Sequence, residues 1–298
     1  MNSDPPSWDL YRTFLAVIVE GSLSGAARSL AVTQPTIGRH VEALEAATGL
    51  TLFVRSQRGL APTEAALALR PYAETLASTV AALRREASSQ GNAVRGVVRI
   101  SASEIIGAEV LPSIVGALRA RYPELELELE LSTEVSNLLR READIAVRMV
   151  EPEQAALVVR KLGGVELGMF ARRSYLERCG TPKSARDLAD HTVIGVDRET
   201  PAFRAMRARV TGLGDVRFAL RATSDVALLE LLRAGAGIGF CQVPLAKRDE
   251  LVRLLPKAFN LRLGIWLVMH ENLRATPRCR AVFDGLTDGL KRYLGAEN

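Results

Sequence analysis

Histidine and cysteine are scarce, with three of each in 298 residues. Cys179, Cys241 and Cys279 are odd in number and far apart, with neither a CxxC pair nor a metal-ligand spacing. Reduced thiols are the expected state. Redox sensing would need closer partners around Cys179 and Cys241 than the sequence provides. His40, His191 and His270 are equally dispersed, and no serine or cysteine sits in a recognisable nucleophile motif. The chain is therefore expected not to be an enzyme, with no catalytic residues, no metal and no cofactor. No apolar run is long enough to span a bilayer, which excludes a membrane partner. The stretch MNSDPPSWDLYR carries acidic residues and no apolar signal core, so a cytoplasmic location is expected.

Lysine is rare as well. It occurs only at 161, 183, 247, 257 and 291, so arginine dominates the 39 basic residues. The net charge of +5 and pI of about 9.4 permit a nucleic-acid partner. Residues 1–66 nevertheless hold five arginines against six carboxylates. If that segment binds DNA, its positive charge must be concentrated on one surface.

What is present starts with length and apolar content. At 298 residues and 48% hydrophobic, the chain can fold as a globular protein of more than one domain. Its most informative stretch is TQPTIGRHVEALEAATG, 33–49. Thr33 suits an N-cap, Pro35 the first turn and Gly49 a C-terminal stop. Ile37, Val41 and Leu44 recur at helical spacing on one face. Thr36, Arg39 and His40 fall on the other, where they suit base edges and phosphates in a major groove. Upstream, Trp8–Val19 reads as a helix with Leu10, Phe14, Val17 and Ile18 inward. Gly21 ends it, and Ser22 can cap a second short helix with Ala26, Ala27 and Leu30 inward. Two short helices joined by a tight turn form a helix-turn-helix. Downstream, Leu50, Leu52 and Val54 alternate with Thr51, Phe53 and Arg55, which predicts a strand with the first set on one face. SQRG then supplies a turn. The resulting wing would carry Arg55, Gln57 and Arg58 at its tip, near phosphates or the minor groove.

Beyond the wing, Ala66, Leu69, Ala73, Leu76, Val80, Leu83 and Ala87 alternate at spacings of three and four. This heptad seam calls for a partner helix, most simply from a second copy of the chain; the competing reading packs it on its own domain. Pro71 predicts a kink or a late helix start. SSQGNAVRG, 88–96, is a polar linker. Strands and helices then alternate: strand 97–101, helix Gly107–Tyr122, strand 125–131 with one solvated face, short helix Glu134–Arg141, strand 144–149. This βαβαβ order predicts a parallel sheet. Strands at 165–171, 191–196, 216–222, 237–243 and 261–270 follow, with a helix over Ser224–Ala234 and a closing helix from Pro277. GAGIGF, 235–240, follows a helix and enters a strand, so it reads as a helix C-cap rather than a dinucleotide loop.

Residues 8–66 closely resemble the DNA-binding domain of LysR-type transcriptional regulators. The matching positions are Phe14, Val17, Gly21-Ser22-Leu23, Ala26-Ala27, Leu30, Thr33-Gln34-Pro35, Arg39, Leu44-Glu45, Gly49, Leu52-Phe53, Arg55, and Thr63 with Ala65. Leu111-Pro112, Tyr122-Pro123, Asp144-Ile145-Ala146 and Gly235–Gly239 continue the resemblance through the rest of the chain. Gly38 departs from the family's usual serine, and Ala66 from its usual glycine. The resemblance implies three domains: a winged helix-turn-helix over 1–65, a dimerising linker helix over 66–90, and an α/β effector domain over 91–298. The last would have two lobes, like periplasmic binding proteins, about 95–163 with 270–298 and about 164–269. Crossovers would lie near Gly163-Gly164 and Met269-His270. The implied DNA-binding set is Ser22, Thr33, Gln34, Pro35, Thr36, Arg39, His40, Arg55, Gln57 and Arg58. The implied partners are promoter DNA, further copies of the chain as a homodimer or homotetramer, RNA polymerase and a small effector that alters DNA bending. A solute-binding protein would share the two lobes but not the helix-turn-helix.

In an open parallel sheet the ligand cleft opens at the carboxyl ends of the strands. That rule selects Ser101, Ser103, Thr133 and Arg148 from the first lobe. Asp197, Thr223, Ser224 and Gln242 come from the second. Arg148, hydroxyls and a helix start together suit a small anion, such as a carboxylate. Arg148 could equally form an ion pair with Glu151, and the hydroxyls could serve as caps.

Overall fold

A computed structural model describes residues 5–56, 59–87, 94–132, 143–151, 157–198, 204 and 216–295. Gln57, Arg58, Thr133 and the helix expected at 134–141 lie outside the described residues. The chain divides into two compact units, the first running to Ala87 and the second taking up nearly all the remainder.

The first unit opens with three helices whose ends are chemically marked. Helix α1, Trp8–Glu20, stops where Gly21 turns left-handed at φ 64° and its N–H donates to the Val17 carbonyl. Helix α2, Leu23–Leu30, begins where Ser22 Oγ accepts from Gly25 N–H at 3.1 Å. Helix α3, Gln34–Thr48, is capped by Thr33 and ends at Gly49, φ 70°. Phe14, Val17, Ala26, Ala27, Ile37, Val41 and Leu44 form the shared core. The small Ala26 and Ala27 let α2 approach closely.

Strands β1, Phe53–Ser56, and β2, Gly59–Pro62, pair antiparallel as the wing. Burial departs from the alternation read in the sequence. Leu52 and Phe53 are both buried, whereas Leu50 and Val54 are exposed. Phe53 is drawn inward by Phe14, at 5.8 Å between ring centroids. Gly59, at φ 123°, lets the wing approach α1, since a Cβ there would lie 2.7 Å from the Gly21 carbonyl oxygen. Helix α4, Glu64–Ala87, follows at once because Thr63 Oγ1 accepts from Ala66 N–H. It runs through Pro71, so the late start considered for it does not occur.

Among the described residues, the second unit is organised around one nine-stranded sheet. Its strands are β3 Gly96–Ala102, β4 Leu125–Leu131, β5 Ile145–Arg148, β6 Leu157–Ala171, β7 Val193–Val196, β8 Phe218–Ala222, β9 Ile238–Gln242, β10 Val252–Leu254 and β11 Asn260–His270. The order is β4-β3-β5-β11-β6-β9-β7-β8, with β10 beside β6. The β3–β4, β3–β5, β7–β8 and β7–β9 pairs are parallel, while β6 and β11 run antiparallel through both lobes. The LELELEL strand is the sheet's edge, which explains its solvated glutamates.

Helices cover the sheet: α5 Leu111–Arg121, α6 Arg173–Cys179, α7 Asp225–Arg233, α8 Val243–Arg248 and α9 Pro277–Tyr293. A π-helical turn over Ile106–Val110 leads into α5, so the regular helix starts later than the Gly107 read from the pattern. One crossing between lobes is at Gly163-Gly164, paired with Ile265 and Gly264. The second is thus at Gly264-Ile265, beside a register shift at Ile265/Trp266. It is not at Met269-His270, which pair with Ile145 and Leu157 inside the first lobe. The mostly apolar run 261–270 hid that boundary, although only residues 265–269, after it, are buried.

Candidate nucleic-acid interface and ligand cleft

Two hydroxyls tie off the amino end of α3. Thr33 Oγ1 accepts from Thr36 N–H at 3.4 Å and shares a 2.8 Å hydrogen bond with Thr36 Oγ1. Thr33, Gln34, Pro35 and Arg39 are exposed, and Thr36 is half-buried. Gly38 leaves the surface beside Arg39 without a side chain, and a Cβ there would meet nothing within 4 Å. The exposed turn is polar and short-limbed, and Arg39 is the long cation within it.

His40 is placed differently from the outward reading. It is half-buried, and its Nδ1 lies 2.8 Å from Oγ1 of the buried Thr13 on α1. The ring is thus drawn back to the helix bundle. Ser22 Oγ is occupied as the α2 cap. Arg55 is exposed on β1. One structural residue had not been singled out as such. Glu45 Oε1 accepts from Leu52 N–H at 2.6 Å and from Phe53 N–H at 3.3 Å, fixing the wing to α3. Its adjacency to Leu44 in the matched pattern was the available signal.

In the second unit, Ser101 and Arg148 meet. Arg148, 3% exposed, donates from Nη2 to Ser101 Oγ at 2.9 Å and from Nη1 to the Ser132 and Val147 carbonyls. Burial pushes its pKa down from the usual guanidinium value, and the Glu130 charge opposes that shift. The group remains a cation. Ser103 is half-buried and its carbonyl accepts from Gly107 N–H. Asp197 and Thr223 are exposed.

The helix start at Ser224 is already served by a carboxylate of the protein. Glu104 Oε2 accepts from Ser224 Oγ at 2.7 Å and from Val226 N–H at 3.3 Å. The chain's own Glu104 thus occupies this helix end, reaching from the first lobe to the second. Gln242 is buried and engaged as well, with its Oε1 accepting from Tyr293 OH at 2.6 Å. At the far end of α7, Arg233 contacts Glu109 at 2.6 Å and Asp249 at 2.8 Å, and Arg248 also pairs with Glu109. Ile105 packs against the buried cluster that holds Leu229 and Leu232 of α7. Residues 104–109 thus hold α7 by an acidic cap, an apolar contact and an ion-pair network. Arg233, with Arg248, holds the Glu109 carboxyl down to about 2. Burial pushes the Cys241 thiol up to about 12, away from the reactive thiolate.

Fold and site together define a helix-turn-helix DNA-binding module joined to an α/β ligand-binding module. A family model described as the bacterial regulatory helix-turn-helix protein, lysR family, matches residues 8–67. The LysR substrate binding domain matches residues 91–291. The chain belongs to the LysR family of transcriptional regulators. An HTH-type transcriptional regulator of Xanthomonas campestris is 30% identical over 61% of this chain and 53% of its own length. The chain thus spans about half the length of that curated relative. The structure of CrgA, a LysR-type transcriptional regulator from Neisseria meningitidis, aligns over 96% of this chain and 99% of that one, at 26% identity and TM-score 0.61. The structure of CbnR, a LysR family transcriptional regulator, aligns over 97% and 99% at 20% identity and TM-score 0.70, a likeness of fold. No helix among the described residues is long and apolar enough to cross a membrane.

Proposed function

We propose that the chain is a sequence-specific transcriptional regulator that reads promoter DNA with the exposed amino turn of α3 and answers to a small carboxylate. The supporting observation is the doubly tied Thr33–Thr36 cap, which leaves Gln34, Pro35 and Arg39 exposed at one helix end. Arg39 supplies a base-edge or phosphate contact, and Arg55 and Arg58 serve the backbone from the wing. Two half-sites require two copies, joined through α4 as a dimer or as a dimer of dimers. The carboxylate sits near Ser103 and the Arg148 guanidinium, and its binding changes promoter bending and the approach of RNA polymerase.

A gel shift with the chain's upstream intergenic DNA tests the DNA half: specific retardation that survives excess random duplex is expected. Absence of any preference for that DNA over random duplex removes the promoter assignment. Calorimetric titration with a panel of small carboxylates tests the ligand half. A responding acid should bind more weakly to folded Ser103→Ala and Arg148→Ala variants. Equal binding to both would place it elsewhere.

A further inference from the structure

The second unit contains a cavity of about 690 Å³ that the ligand assignment above does not use. Its walls come from the crossing strands at Gly164–Glu166, from α8 at Lys247, from β11 at Asn260 and Arg262, and from the end of α9 at Arg292 and Tyr293. The volume falls in the range of small-molecule sites rather than of a groove for a duplex.

Its position separates it from Arg148. Side chains alternate across a strand. Ile100, Ala102 and Val147 point into the core that α5 and α9 cover. Ser101 and Arg148 therefore point to the opposite face, where Ala146, Trp266 and Val268 gather. The cavity lining includes none of Ser101, Ser103 and Arg148.

Its charge is one-sided. Lys247, Arg262 and Arg292 are exposed cations, and none has an acidic partner within ion-pair distance among the described residues. The carboxylate in the lining, Glu166, is already paired with Arg253. Gly164 leaves the floor open: a Cβ there would meet Arg262 Nε at 2.9 Å, so the guanidinium stem lies across β6. Three cations without an acidic partner among the described residues line one concave surface, an arrangement that stabilises a multiply charged anion.

We infer that this cavity is a second anion site, for a small molecule bearing two or more carboxylate or phosphate groups. Such a ligand would bridge Arg292 on the first lobe to Lys247 and Arg262 on the second. Tyr293, in the same lining, donates to Gln242 across the lobes, so occupancy would act directly on their contact.

The test is calorimetric titration of the full chain with citrate and with pyrophosphate at low ionic strength. The two probes distinguish a carboxylate from a phosphate ligand. At least one should bind, and Lys247→Gln combined with Arg262→Gln should weaken it tenfold or more, as expected for lost charge-assisted hydrogen bonds. Arg292→Gln should weaken it as well, and Ser103→Ala should leave it unchanged. These cations are exposed, so thermal melting of the variants should match the parent. The inference is overturned if neither probe binds, if the double variant binds as tightly as the parent, or if Ser103→Ala abolishes binding.

Discussion

Arg39 and Glu45 lie on one helix and have different tasks. Arg39 is exposed and makes no contribution to the core, so Arg39→Ala should leave stability unchanged. It should lower discrimination between operator and scrambled duplex by about 1–3 kcal/mol, measured by fluorescence anisotropy. Unaltered discrimination would remove Arg39 from the reading face. Glu45→Ala does the reverse. It strips the acceptor from Leu52 N–H and Phe53 N–H. Chemical denaturation should show a loss of about 1–3 kcal/mol. Glu45→Gln should recover part of it, because one amide oxygen can still accept. A denaturation midpoint equal to the parent's would mean that water serves those amides instead. The caps of α3 were legible because Thr33, Pro35 and Gly49 act on backbone within a few residues of themselves. The inward turn of His40 was not, because its partner Thr13 is 27 positions away. Helical spacing alone put His40 on the outer side.

Helix α4 has two differently buried halves. Ala66 and Ala73 are buried in the first unit's core, and Leu69 packs against it. Leu76 and Leu83 are exposed, at 37% and 63%. The first half of the seam therefore packs on its own unit, and we propose that the second half meets a second copy of the chain. Among the described residues no core cluster takes in Leu76 or Leu83, and such an exposed apolar stripe favours association. Leu76→Glu should abolish the dimer at low micromolar concentration, read by sedimentation, because an unpaired carboxylate is costly in such an interface. A variant that sediments like the parent would place the interface elsewhere. The seam's spacing was visible in sequence, whereas its division was not, since it depends on which of its residues the folded first unit covers. The wing's strand pattern was likewise overruled by Phe14, which the local alternation does not register.

Across the second unit, the contacts of residues 104–109 with α7 decide how firmly the lobes are held. The Glu109 carboxyl lies at about 2, against 4.5 when unperturbed. Its folded value is depressed, so its stabilisation is fully present above pH 4.5 and is lost as pH falls toward 2. The contribution is on the order of 2–3 kcal/mol, reduced by solvent at the half-exposed Arg248. Denaturation midpoints of parent and Glu109→Gln should differ most near neutral pH and converge near pH 2. Parallel profiles would show that the pair adds nothing. None of this was readable from spacing, because Glu104 and Ser224 are 120 positions apart and only the folded chain sets them together. The strand-helix rhythm gave most of the strands, but not the short elements Arg173–Cys179, Val243–Arg248 and Val252–Leu254. That the protein's own glutamate fills the helix start was not legible either. The passage between lobes has a mechanical consequence too. It is a ribbon of two hydrogen-bonded strands, β6 and β11, with a register shift at Ile265/Trp266. Such a ribbon resists stretching along its ladder but twists readily, more so than a wide sheet. Any reorientation of the lobes would thus be a torsion about the ribbon rather than a separation. A few degrees there become opposite displacements at the remote edges β4 and β8, like the two ends of a lever on a common axle.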